Sequence, residues 1–99
     1  MLYMTHMEIA SIRHKALRRL AEDGIAKGLM EPQRVADMLQ LLRFARSFGD
    51  LNMPPNYGLH PLTGDRTGSF AMTVTKNWRL TFAKVDERTV GELDLEDYH

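Results

Sequence analysis

The chain contains no cysteine, so neither a disulfide framework nor a thiolate metal site is available to it. That absence fits a reducing compartment, and a cytoplasmic protein is expected. No apolar run approaches the ~18 residues that a membrane-spanning helix requires. The segment Met1 to Glu8 lacks a basic flank followed by a long apolar stretch, so a secretory leader is not expected. The four histidines lack the close spacing of zinc ligands, and no His-rich helix gathers them, so no metal is expected. Net charge is also missing: 13 Lys and Arg balance 13 Asp and Glu, which by itself argues against a nucleic-acid binder. Repeats and low-complexity tracts are absent too.

What is present is an uneven distribution of charge. Residues 1–85 carry 12 Lys and Arg against 7 Asp and Glu, whereas residues 86–99 carry only Arg88 against six acidic residues. A mildly basic body is thus followed by an acidic segment. With 99 residues, 43% of them hydrophobic, one small domain is expected. Three methionines (Met1, Met4 and Met7) precede the first patterned segment, so residues 1–8 read as an extension to a single domain spanning 1–99.

Residues Ile9 to Ile12 suit either a helix start or a brief strand. From His14 to Asp23, Ala16, Leu17, Leu20 and Ala21 recur at helical spacing, and Gly24 follows as a stop. Arg13, Lys15, Arg18 and Arg19 form either a solvated face or a basic surface for RNA or a partner. A second helix starts near Pro32, a residue suited to the first turn. Its apolar stripe is Val35, Met38, Leu39, Leu42 and Ala45, and the run is expected to end at Gly49. Asp50 to Gly58 is a loop by composition. Ser69 to Thr75 then alternates with Phe70, Met72 and Val74 on one face. Trp78, Leu80 and Phe82 continue that face after Thr75-Lys76-Asn77, which reads as a hairpin. Asp86-Glu87-Arg88 makes another turn, and Val90 to Glu96 forms a last strand with Leu93 and Leu95 inward. The expectation is an α+β domain, two N-terminal helices packed on a small antiparallel sheet.

Four short segments carry groups with chemistry: Leu59-His60-Pro61-Leu62, Gly64-Asp65-Arg66, Asn77-Trp78-Arg79-Leu80-Thr81-Phe82 and Glu96-Asp97-Tyr98-His99. Taken singly, each has a bland reading as a loop histidine, an exposed strand arginine or a polar tail. Together they suit metal-free RNA cleavage. Strand alternation sets Arg79 and Thr81 opposite Trp78, Leu80 and Phe82, and a meander would bring Asp97 to His99 beside Arg79. Attack by a ribose 2′-hydroxyl on the adjacent phosphate needs a base, an acid and a cation for the phosphoryl oxygens. Histidines can supply the proton transfers, and Arg79 a fixed fork of donors. Arg66 and Lys76 are further candidate contacts for RNA phosphate. Tyr98 suits base stacking and Asp97 the orientation of a histidine.

In order and spacing, His-Lys-Ala-Leu at 14–17, Leu-His-Pro-Leu at 59–62, Gly-Asp-Arg at 64–66, Asn-Trp-Arg-Leu-Thr-Phe at 77–82 and Asp-Tyr-His at 97–99 resemble the HigB branch of the RelE toxin family. The similarity runs from about Ile9 to His99. The resemblance implies a RelE-like fold and a ribosome-dependent mRNA endonuclease that inhibits translation without metal or cofactor. It also implies a small HigA-like antitoxin carrying a helix-turn-helix domain, through which alone the complex would meet operator DNA. Position by position it assigns catalysis to His60, Asp97, Tyr98 and His99, and a substrate-facing role to Arg79. Thr63 stands where many relatives have lysine, and Phe70 where many have tryptophan. Two other readings stay open: a non-nuclease toxin sharing the superfold, and a toxin relic that binds an antitoxin and acts in operon control.

Overall fold

A computed structural model describes residues 6–52 and 57–97. The helices come first. α1 spans Lys15–Asp23, and the imidazole Nδ1 of His14 accepts a hydrogen bond from the Leu17 amide at 3.2 Å, so His14 caps the helix instead of opening it. Gly24 ends α1 in the left-handed region (φ 72°), with its amide donating to the Leu20 carbonyl at 3.0 Å. α2 spans Pro32–Phe44. It stops five residues before Gly49 because Ala45 turns extended, and its carbonyl then accepts from the Met7 amide. Phe48–Asn52 forms a short 3-10 turn anchored by the Phe48 amide on the Glu87 carbonyl, at 2.7 Å.

Five strands make one mixed sheet: β1 (Glu8–Ile9), β2 (His60–Pro61), β3 (Ser69–Thr73), β4 (Trp78–Asp86) and β5 (Thr89–Asp97). Their order is β1-β5-β4-β3-β2. The pairs from β2 to β5 are antiparallel, as the expected meander requires, while β1 adds a parallel edge strand beside β5. The segment that suited either helix or strand therefore joins the sheet, and Ile12 makes a further parallel bridge to Leu93. Within the expected extension 1–8, residues 1–5 lie outside the described residues. Met7, however, is 4% exposed within the core, and Glu8 opens β1.

One sheet face buries Met72, Val74, Leu80, Phe82, Val90, Leu93 and Leu95 against Leu17 of α1 and Val35, Met38, Leu39 and Leu42 of α2. Each such side chain contributes about 1.5–3 kcal/mol through removal from water. Phe70 and Trp78 are half-buried at the margin of the same core. Inward residues Val90 and Leu93 are three apart, which strict alternation forbids. A bulge resolves the mismatch: between the pairs Thr81↔Asp94 and Ala83↔Gly91, β5 holds one residue more than β4. Glu92 there takes φ 52°, and its amide donates to the Ser11 hydroxyl at 2.8 Å.

Candidate active site

The sheet face away from the helices carries His60, Arg79, Thr81 and Glu96, as alternation along β4 predicts for Arg79 and Thr81. Cross-strand pairing sets His60 opposite Ala71, Ala71 opposite Thr81, and Thr81 opposite Asp94, so one row crosses four strands. The next row runs Thr73, Arg79, Glu96. Ala71 and Thr81 are buried despite lying on this outer face. Two adjoining clefts open on it. One, of about 210 Å³, is lined by Leu62, Arg66, Ala71, Arg79, Thr81, Glu96 and Asp97. Its neighbour, of about 190 Å³, shares Arg66, Thr81 and Glu96 and adds Arg13, Asp65 and Asp94 among others.

Individual residues differ in how tightly they are held. His60, half-buried in β2, has its Nδ1 2.8 Å from the carbonyl oxygen of Gly58. A carbonyl oxygen only accepts, so that nitrogen carries a proton, and in the neutral imidazole the lone pair lies on Nε2. Gly58 adopts φ 72°, a conformation natural to glycine, and this turns its carbonyl toward the ring.

Arg79 spends Nη1 on the connection before it, donating to the carbonyls of Thr75 at 2.8 Å, Trp78 at 3.2 Å and Lys76 at 3.3 Å. Its guanidinium is thereby fixed beside the hairpin connection. Lys76, in that same connection, is exposed. Asp97 is the last residue of β5, paired with Trp78, and it lines the larger cleft. The structure thus gathers Arg79, Arg66 and Asp97 around one cleft. His60 stands in the adjoining row, next to Ala71. Tyr98 and His99 lie outside the described residues.

The densest polar contact joins Arg66, expected from the sequence as an RNA-phosphate contact, to Glu96, which was not expected as a site member. Arg66 donates from Nη1 and Nη2 to the two oxygens of Glu96, each at 2.7 Å, and the Thr81 hydroxyl donates to Glu96 Oε2 as well. The bond from Arg66 is the main reason the Glu96 carboxyl sits below the usual glutamate range, with the Thr81 bond adding to it and burial opposing it. The same bond raises Arg66 above its already high value. Alternation does put Glu96 on the face of Arg79. Its partnership with a residue in a different segment, however, has no sequence period to reveal it.

Comparison with known proteins identifies the family. Residues 6–99 match the family model for HigB-like toxins, described as the RelE-like toxin HigB of type II toxin-antitoxin systems. A curated relative from Proteus vulgaris, named Endoribonuclease HigB, is 41% identical over 93 residues, covering 92% of this chain and 99% of its own length. The α+β fold, the order of the motifs and the match over nearly the whole sequence lead to one assignment: this chain belongs to the HigB-like family of RelE-like toxins from type II toxin-antitoxin systems.

Proposed function

We propose that this toxin is an endoribonuclease that cleaves mRNA on the translating ribosome without a metal ion, and so stops protein synthesis. The observation that carries the reading is the strand register. Pairing of Arg79 with Glu96 and of Trp78 with Asp97 sets the end of β5 beside the arginine, while His60 stands in the adjoining row. The name of the Proteus vulgaris relative supports the class of reaction.

In this reaction a base takes the proton of a ribose 2′-hydroxyl, and the 2′-oxygen forms a bond to phosphorus. The bond from phosphorus to the 5′-oxygen breaks, and an acid protonates that leaving oxygen. The products are a 2′,3′-cyclic phosphate and a 5′-hydroxyl end. His60, with its lone pair on Nε2, is suited to the base, and His99 to the acid. Asp97 orients a histidine, and Tyr98 stacks on a base or positions the ribose. Arg79 meets the phosphoryl oxygens, and exposed Lys76 adds a weaker contact with RNA phosphate.

Membership in a type II toxin-antitoxin family implies an antitoxin partner. We assign that partner a helix-turn-helix DNA-binding domain of the HigA kind, through which the complex reaches operator DNA. The site of action is then the cytoplasm, where ribosomes and mRNA are. Mapping the 5′ ends of mRNA after induction tests the reading. New ends within translated frames are expected from the intact protein and none from a His99-deleted control. Growth arrest without new mRNA ends would instead favour a non-nuclease toxin.

A further inference from the structure

The outer sheet face carries one strong contact that no proton transfer uses. Glu96 precedes Asp97 on β5, and Arg66 closes the short 3-10 turn Gly64–Arg66 that follows β2. β2 and β5 are not neighbours, since β3 and β4 lie between them. At about 4.8 Å per strand, some 14 Å of sheet separates them. The 3-10 turn carries Arg66 over part of that distance, into a cleft it shares with Ser69, Thr81 and Ala83. From there its side chain delivers both terminal nitrogens to Glu96, while the Thr81 hydroxyl of β4 donates to the same carboxylate. The backbone from His60 into this turn is itself anchored, through the Leu62 amide on the Ser69 carbonyl at 2.8 Å. One ion pair therefore ties the segment bearing His60 to the strand end bearing Asp97.

We propose that Arg66 is a positioning residue: by its two-pronged hold on Glu96 it sets the separation between the His60 segment and the Asp97 end of β5. Both of its terminal nitrogens are engaged by a carboxylate, so an RNA phosphate at the same place would have to displace Glu96 first. A charge of either sign at one position needs its opposite at the other, whereas a phosphate contact needs only the cation. The inference rests on the ribonuclease reading, because it concerns the spacing of that reaction's groups. A shift of about 1 Å in such a group can cost about 100-fold in rate.

The test is steady-state cleavage of a reporter mRNA on translating ribosomes by the full chain and its variants. Arg66→Ala and Glu96→Gln are each expected to lower kcat at least about tenfold while leaving KM within about twofold. The double variant should be no worse than the poorer single one. The charge swap, Arg66→Glu with Glu96→Arg, should recover part of the lost kcat, and Arg66→Lys should not restore it fully, for want of the fork. A rise in KM confined to the Arg66 variants, with Glu96→Gln unaffected, would overturn the proposal in favour of a phosphate contact. Failure of the unaltered protein to cleave would sink the ribonuclease reading instead. The clamp is then read by NMR: Arg66→Ala should shift the His60 ring protons and speed amide exchange at 94–97, and unchanged spectra would refute it.

Discussion

The imidazole of His60 is held by the carbonyl oxygen of Gly58, two residues earlier, at 2.8 Å from Nδ1. That contact selects the tautomer with a lone pair on Nε2, the form a general base requires. His60→Ala should lower mRNA cleavage about 100- to 10,000-fold, the usual contribution of acid–base groups, and leave antitoxin binding intact. Gly58→Ala should act through the same contact. Alanine at φ 72° is strained by about 1–2 kcal/mol, so both a lower Tm and slower cleavage are expected. Growth assays and pull-downs with the antitoxin check the first variant. Undiminished toxicity would remove His60 from the reaction.

In the proposed reaction Arg79 would have two jobs that a single substitution separates poorly, since its guanidinium also fastens the Thr75–Trp78 connection. Arg79→Ala is expected to cost about 100-fold or more in cleavage, the scale of losing a donor to developing phosphoryl charge. Arg79→Lys keeps the charge without the fork and should stay well below the unaltered rate. Equal rates for the lysine variant and the original would mean that only charge matters there.

Thr63 is exposed and precedes the Gly64–Arg66 turn, close to the larger cleft through Leu62 and Arg66. A lysine there would add one cation beside the proposed RNA path. Thr63→Lys should therefore tighten KM for ribosome-bound mRNA and steepen the salt dependence of cleavage. A KM indifferent to the change would show that the RNA backbone passes elsewhere.

Glu96 gives the protein an acid-sensitive element. Its carboxyl lies below the ordinary glutamate range, chiefly because Arg66 donates to it. A folded-state pKa below the unfolded one contributes stability that is fully present above the unfolded value of about 4.3 and is lost as pH falls through the folded value. Glu96→Gln should thus flatten the acid limb of a stability-against-pH curve below about pH 4.3, with little change in its slope near neutrality. Urea unfolding at several pH values measures this, and parallel acid limbs for the two proteins would contradict it.

In the core, Met38 of α2 is fully buried against the sheet. Met38→Ala should destabilise the fold by about 2–5 kcal/mol through lost burial and a residual cavity. A chemical denaturation midpoint within error of the original would mean that the helix repacks over the gap.

Most of the fold was legible in residue periodicity. The stripe Val35, Met38, Leu39, Leu42, Ala45 is buried as its spacing required, and Met72, Val74, Leu80 and Phe82 face it from the hairpin. The end of α2 was less legible. Phe48 and Leu51 are apolar and buried, so composition continued where the backbone turned to meet Met7 and Glu87. The bulge at Glu92 was hidden, because period-two reasoning has no place for an extra residue. β1 is two residues long and stabilised by β5, a pairing that local sequence cannot announce. Of the candidate site, the face bearing Arg79 and Thr81 followed directly from alternation along β4. The clamp between Arg66 and Glu96 did not, because exposed-looking charges in distant segments resemble any solvated surface. The catalytic assignment of His60, Asp97, Tyr98 and His99 came from the family resemblance, and its test is kinetic.

The last strand in chain order, β5, is not at the sheet's margin but lies between β1 and β4. A nascent chain that has emerged without residues 89–97 has no partner for its first strand, an open flank on β4, and none of Val90, Leu93 or Leu95 to fill the interior. Such unfinished copies can neither close their core nor assemble the cleft. If the proposed action on translation holds, this topology would keep a toxin inactive until its own synthesis is complete.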